Sequence, residues 1–144
     1  MLAQYSYINT NIGLGNNYKK IRVKINKKCN CDDVKSYLIA MNKDNETFTA
    51  TPVFYTSDND PDSYWILESQ VLTQNNEDVI SESNFIDYAE TMGLELIESK
   101  YSMLYFKVKE VKTGFESLEI ANRIYESGKA QYAHPNFIVE IVLF

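Results

Sequence analysis

The stretch SLEIANRIYESGKAQYAHPNF, residues 117–137, decides the fold of the C-terminal part of this chain. Apolar side chains recur at helical spacing up to Tyr125, Gly128 follows, and a strand-like alternation then begins. A glycine directly after a helix commonly adopts the left-handed conformation that ends it. The stretch therefore predicts a helix that stops at Gly128 and a final strand. His134, the only histidine of the chain, and Pro135 are predicted to end the regular part of that strand.

The residues before this stretch extend the same order of elements. Residues 82–92 place apolar side chains on one stripe and precede Gly93, which predicts a helix and its end. Thr113 and Glu116 have the spacing of a capping box for the second helix. Three further segments read as strands: YWILESQVL at 64–72, LELIE at 94–98 and YSMLYFKV at 101–108. Residues 62–144 thus have the order β-α-β-β-α-β, which predicts a ferredoxin-like sandwich of two helices on a four-stranded antiparallel sheet.

One face of this sheet is expected to be free of helices. Right-handed crossovers place the strands at 64–72 and 101–109 in the middle of the sheet. Leu104, Phe106 and Val108 then alternate with side chains on the opposite face. Tyr101, Met103 and Tyr105 are predicted to project from the middle of the uncovered face. An alternative is that the N-terminal strands of the chain cover this row.

The N-terminal residues are expected to form a β-rich extension. Residues 4–8 and 19–25 alternate as a hairpin-like pair of strands, and a short helix at 33–42 follows a cap at Asp32 or Asp33. The next strand, in TFTATPVFYT at 47–56, contains Pro52, which has no backbone N–H to donate. We therefore predict that this strand lies at an edge of the sheet or is interrupted. The fold class is therefore α+β, with an extension at 1–60 that packs on a main domain at 61–144.

Charge and hydropathy exclude several classes of function. The 144 residues carry a net charge of −6, which disfavours binding to nucleic acid or to an anionic membrane. No segment reaches the roughly 18 apolar residues of a membrane span. The N-terminal Met-Leu-Ala-Gln is no signal peptide, although Leu-Ala-Gln fits the remnant of a removed one. We therefore expect a secreted or periplasmic protein.

The sequence contains no pattern for catalysis, a cofactor or a metal site. It lacks a Gly-x-Ser-x-Gly elbow, a glycine-rich phosphate loop and a second histidine. Cys29 and Cys31 flank one residue, which is poor spacing for a mutual disulfide, and two thiols in a turn is the plainer interpretation. We predict a protein that is not an enzyme and needs no cofactor; a cysteine enzyme that pairs a thiol with His134 is the remaining alternative.

Residues 64–138 resemble the propeptides of secreted subtilisin-like serine proteases, particularly those of Bacteroidetes. The resemblance is carried by MGLELIE at 92–98, YSMLYFKVKE at 101–110 and LEIANRIYESGKAQYAHPNFI at 118–138. It implies the ferredoxin-like fold and a partner rather than a reaction. Such propeptides assist the folding of their protease, in cis or in trans, and then inhibit it.

The resemblance also implies two contact regions. The free sheet face, with Tyr101, Met103 and Tyr105, would dock on the enzyme. A C-terminal tail formed by Ile141, Val142, Leu143 and Phe144 would lie in the substrate groove like a cleaved product, with its carboxylate near the oxyanion-binding donors. The tail is alternatively a strand along a sheet edge.

Propeptides of this family precede a catalytic domain, whereas we expect none after residue 144 of this chain. We therefore expect an excised or orphaned propeptide, a free-standing inhibitor, or a secreted or periplasmic binding or structural module that keeps the fold.

Overall fold

A computed structural model describes residues 8–9, 23–25, 28–44, 48–57, 60 and 63–139. The chain divides into two compact units, Met1–Val34 and Lys35–Phe144. This boundary lies earlier than the one expected after residue 60. The reason is that residues 53–55 pair with residues 64–66 of the main sheet and Ala50 is hydrogen-bonded to Asn42, so residues 48–57 belong to the second unit.

The first unit contains a short strand pair and the start of a helix. Strand β1 (Ile8–Asn9) pairs antiparallel with β2 (Lys24–Ile25), so the predicted pairing is confirmed where both segments are described. Helix α1 (Cys31–Asp44) begins earlier than predicted. Its cap is Asn30, whose side-chain oxygen accepts from the backbone N–H of Asp33 at 2.8 Å, while the Asp33 carboxylate accepts from Asn30 N–H at 3.2 Å. This reciprocal capping box replaces the predicted cap at Asp32 or Asp33.

The second unit is α+β, built on a five-stranded antiparallel sheet. Strand β4 pairs with β7 along one edge, and with β3 and then β6 along the other, while β5 pairs with β6. The prediction that the strands near 64–72 and 101–109 are the inner ones is therefore confirmed. The elements are β3 (Val53–Tyr55), β4 (Tyr64–Asn75), α2 (Glu82–Thr91), β5 (Leu94–Lys100), β6 (Met103–Val108), α3 (Glu116–Glu126) and β7 (Ala130–Val139).

The core lies between the sheet and the helices α2 and α3, which both pack on the same face. Its strand residues include Leu104, Phe106 and Val108, so the predicted alternation of β6 is confirmed. The spacing of apolar residues in α3 predicts a core-facing arc of Leu118, Ala121, Ile124 and Tyr125. Ala121 and Ile124 are buried as predicted, but Tyr125 is 60% exposed, and Ile120 is buried in addition. The remaining buried residue of that helix is Ser117. The buried positions follow the i, i+3, i+4, i+7 spacing of one helical face.

Both predicted helix stops are confirmed. Gly93 has φ +88° and Gly128 has φ +71°, a region that glycine enters without a steric penalty. At the other end of α2, the side chain of Ser81 accepts from the backbone N–H of Asn84 at 3.4 Å. Local sequence signals therefore define both ends of α2.

The start of α3 differs from the predicted capping box. The carboxylate of Glu116 accepts from the backbone N–H groups of Lys112 at 2.9 Å, Thr113 at 2.6 Å and Gly114 at 2.9 Å. The Thr113 hydroxyl accepts from Phe115 N–H instead. Partial burial by itself raises the pKa of Glu116, but the hydrogen bonds donated to the carboxylate outweigh it and the pKa is lowered.

Strand β7 passes through His134 and Pro135 and continues to Val139, but its regular pairing with β4 is interrupted directly after Pro135, as predicted for the end of the regular part of the strand. Pro135 lies opposite Val71, next to a shift of register between Leu67 and Val71 of β4. Irregularities of this kind accept a residue that lacks a backbone donor. The proline is therefore accommodated inside the strand.

Candidate interaction face of the sheet

The face of the sheet opposite α2 and α3, here called the far face, carries the predicted docking residues Met103 and Tyr105. Residues opposite each other in neighbouring strands point to the same side of a sheet. By register, the far face therefore includes the central row Leu72, Tyr105 and His134. Its other members are Gln70, Gln74, Glu95, Glu98, Lys100, Met103, Lys107, Tyr132 and Asn136.

The centre of the far face is apolar and aromatic. Leu72 lies opposite Tyr105 on one side and opposite His134 on the other. The rings of Tyr132 and His134 stack with centroids 5.7 Å apart and an interplanar angle of 25°. Leu72, Tyr105 and Tyr132 are each half-buried. Aromatic and aliphatic side chains of this kind are typical of the centre of a protein interface.

The hydroxyl of Tyr132 is a buried polar group that makes no hydrogen bond to the described residues around this apolar centre. It is inaccessible to solvent and has no hydrogen-bond partner within the described part of the chain. Burial raises the pKa of Tyr132, and the neighbouring Tyr105 raises it further. A buried hydroxyl without a partner costs about 1–3 kcal/mol of stability.

Polar pairs border the apolar centre. Lys107 Nζ lies 3.1 Å from Glu95 Oε2, and both side chains are about half exposed. On the other side, Asn136 Nδ2 donates to Glu68 Oε2 at 2.6 Å and to Gln70 Oε1 at 3.2 Å. An exposed ion pair contributes at most about 1 kcal/mol, so this border adds little to the stability of the fold.

Tyr101 does not lie on the far face, contrary to prediction. Strand β6 begins at Met103, and Tyr101 and Ser102 form the two-residue turn of the β5–β6 hairpin, with φ +54° and +62°. Positive φ at both positions is the geometry of a type I′ turn, which favours Asn and Gly. The alternation of the strand could not reveal this, because the place where the chain reverses depends on the pairing of β5 with β6.

The Tyr101 turn is strained and its ring is exposed. Each non-glycine residue in the left-handed region costs roughly 1 kcal/mol. Tyr101 is 85% exposed, and Lys100 Nζ lies 5.2 Å from the ring centroid. An exposed cation–π contact contributes only about 0.5–1 kcal/mol. The described contacts of the ring therefore do not offset the strain of the turn.

A second aromatic cluster, on the helix side of the sheet, was not predicted. Phe54 packs edge-on against Phe115 at 6.2 Å and Phe137 at 6.1 Å, and Trp65 lies 5.5 Å from Phe137. Phe54 is 37% exposed and Trp65 is 43% exposed. The aromatic-rich stretches VFY and YW were the available signal, but their burial depends on where α3 begins.

The remaining predicted residues are separate from this cluster. Cys29 is half-buried and precedes α1, whereas Cys31 is exposed and is the first residue of that helix. His134 is exposed, and its Nδ1 lies 3.2 Å from the carbonyl oxygen of Pro135. The predicted tail residues 141–144 lie outside the described residues.

Comparison with known protein families, curated proteins and solved structures finds no match for this chain. In the described ranges, none of the helices combines the length and apolar character of a membrane span. The same ranges contain no group of three or more His, Cys, Asp or Glu side chains that could hold a metal ion.

Proposed function

We propose that this chain is a non-catalytic, propeptide-like inhibitor or folding partner of a subtilisin-like serine protease, in a secreted or periplasmic setting. The observation that carries the proposal is the order β7-β4-β6-β5 with α2 and α3 on one face, which leaves Met103 and Tyr105 on the other. This order fits the ferredoxin-like arrangement of the propeptides that the sequence resembles.

The chemistry of the far face supports a protein partner. Its apolar centre around Leu72 and Tyr105 is bordered by the Lys107–Glu95 pair and by Asn136. A centre of this kind within a polar rim is typical of protein interfaces. The far face is therefore the part of the sheet that we assign to the protease.

The proposed role of the tail follows from its position after β7. The strand is paired with β4 through Val139, so residues 141–144 follow an anchored segment. The side chains of Ile141, Val142, Leu143 and Phe144 are all apolar and suit the apolar substrate pockets of a subtilisin-like enzyme. Occupancy of the groove would make the inhibition competitive.

Titration of the purified chain into a subtilisin-type protease tests the tail. Deletion of residues 141–144 should raise the inhibition constant by about 100-fold or more, because apolar anchors dominate such interfaces. The thermal unfolding midpoint should remain that of the full chain. Equal inhibition by the truncated and full chains would refute the role of the tail.

Substitution of Tyr105 tests the far face. Tyr105→Glu should weaken inhibition while the protein stays folded, because it places a charge in the apolar centre. Tyr125→Glu is the matched control, since Tyr125 is exposed on α3. A large loss of thermal stability in Tyr105→Glu, without the same loss in the control, would show that this face is internal and would contradict docking.

A non-catalytic binding or structural module is the second candidate. It is favoured by the exposed rings of Phe54 and Trp65, which lie on the helix side and have no role in the protease proposal. Absence of inhibition by the intact chain across several subtilisin-type proteases would favour this candidate.

A further inference from the structure

We propose that Tyr101, at the tip of the β5–β6 hairpin, is a separate anchor that inserts into an apolar pocket on the surface of the protease. This inference rests on the proposed function and adds a contact outside both the far face and the tail. The motivating observation is the combination of a strained turn and an aromatic residue that is 85% exposed.

The turn is poorly suited to a purely structural role. Both of its residues adopt positive φ, where Asn or Gly would be easier to accommodate than Tyr101 and Ser102. The one ring contact described for Tyr101 is the exposed Lys100 ammonium at 5.2 Å. Backbone strain that local contacts do not offset is a recurring property of binding sites.

The position of the ring connects it to the far face. Lys100 lies opposite Met103, and Met103 is the first far-face residue after the turn. A partner that covers Met103 therefore lies next to the hairpin tip. Because a tight turn fixes the backbone and a tyrosine has only two χ angles, the ring meets that partner with little loss of conformational entropy.

The surroundings of the ring define the pocket it fits. The pocket must be apolar to accept the aromatic face, and its rim should carry an acidic group to pair with the Lys100 ammonium. A tyrosine that fills such a pocket belongs to the residue types that most often dominate binding free energy.

Two single substitutions separate binding from turn geometry. Tyr101→Asn and Ser102→Gly both relieve positive-φ strain, and we expect both to raise the thermal unfolding midpoint. Tyr101→Asn also removes the ring, so its inhibition constant against a purified subtilisin-type protease should rise about tenfold. Ser102→Gly keeps the ring and should inhibit like the unmodified chain.

The outcomes are distinguishable. If the unmodified chain inhibits and Tyr101→Asn inhibits equally well, the anchor is refuted while the proposed function stands. If both substitutions weaken inhibition equally, the turn matters only as a rigid connection, and the anchor is again refuted. If the unmodified chain fails to inhibit, the proposed function fails, and the inference fails with it before any variant is compared.

Discussion

The hydroxyl of Ser117 in α3 donates to the backbone carbonyl of Glu68 in β4 over 2.7 Å. Glu68 lies in the interval between Leu67 and Val71 where the pairing of β4 with β7 shifts register. Ser117 is only 2% exposed. The helix therefore satisfies a carbonyl at the point where the strand ladder is interrupted, and it joins α3 to the irregular part of the sheet.

Replacement of this serine should destabilise the fold. Ser117→Ala leaves the Glu68 carbonyl without its donor, and we expect the free energy of unfolding to fall by about 1–2 kcal/mol. Urea denaturation monitored by circular dichroism measures the loss. Ser99→Ala, at an exposed position of β5, is the control and should change stability by less than about 0.5 kcal/mol. Equal effects of the two substitutions would contradict the role of the hydrogen bond.

Gly93 and Gly114 both have positive φ, but only Gly114 is closely surrounded by other atoms. Alanine substitutions at the two positions therefore separate the cost of a steric clash from the cost of positive φ. Gly114 has φ +81°, and a Cβ atom there would lie 2.7 Å from the carbonyl oxygen of Ala50. Gly93 has a similar φ of +88°, but its Cβ would meet nothing within 4 Å. Gly93→Ala should therefore cost about 1 kcal/mol. Gly114→Ala should cost clearly more, about 2–4 kcal/mol, because backbone atoms must move.

Thermal and urea unfolding of both alanine variants provide the comparison. A cost at Gly114 no greater than that at Gly93 would show that the chain near Ala50 relaxes freely around the added methyl group.

The side chain of Asn42 joins α1 to two loops of the second unit. Its Nδ2 donates to the carbonyls of Ala50 at 2.9 Å and Lys112 at 3.3 Å, and its Oδ1 accepts from Ala50 N–H at 2.8 Å. Asn42→Ala should lower the free energy of unfolding by about 2 kcal/mol, because these backbone groups lose their partners. Asn122→Ala, at an exposed position of α3, controls for helix propensity and should raise the free energy of unfolding slightly, by about 0.5 kcal/mol.

Asn42→Asp sharpens this test. It keeps an acceptor for Ala50 N–H but places a carboxylate against two carbonyl oxygens, so it should be at least as destabilising as the alanine variant at neutral pH. Full stability of Asn42→Asp would show that the two donated hydrogen bonds contribute nothing.

Glu116 should make stability depend on acid pH. Its pKa in the folded protein is lower than 4.5, the ordinary value of a glutamate. A lowered folded pKa stabilises the protein above the unfolded pKa, and this contribution is lost as the pH falls through the folded value. At neutral pH the protein should therefore exceed Glu116→Gln in stability by about 1 kcal/mol, a modest value because solvent screens the partly exposed carboxylate.

The measurement is urea unfolding of both proteins between about pH 7 and about pH 3, where the difference should shrink below the ordinary glutamate pKa. Comparison with Glu116→Gln removes the contribution of the other carboxylates. A difference that stays constant over this range would exclude the charge of Glu116 as its source.

Local patterns in the sequence determined the types of the main elements. The glycines at 93 and 128 ended their helices as predicted, because positive φ is a property of the residue itself. The alternation of Leu104, Phe106 and Val108 identified the buried side of β6, because successive side chains of any strand point to opposite faces. The order of strands and helices at 64–139 followed from these signals.

Only the tertiary structure decided where strand pairing reverses or is interrupted, and which side chains hydrogen-bond to the backbone there. Tyr101 lies in a turn rather than in the predicted strand, because the register of β5 against β6 sets the point where the chain reverses. Pro135 stayed within β7 because the irregularity of β4 opposite it accommodates a residue without an N–H group. Ser117 became buried because it meets the Glu68 carbonyl, 49 positions away in the chain. Such contacts depend on distant segments that meet only in the folded protein, so no local pattern encodes them.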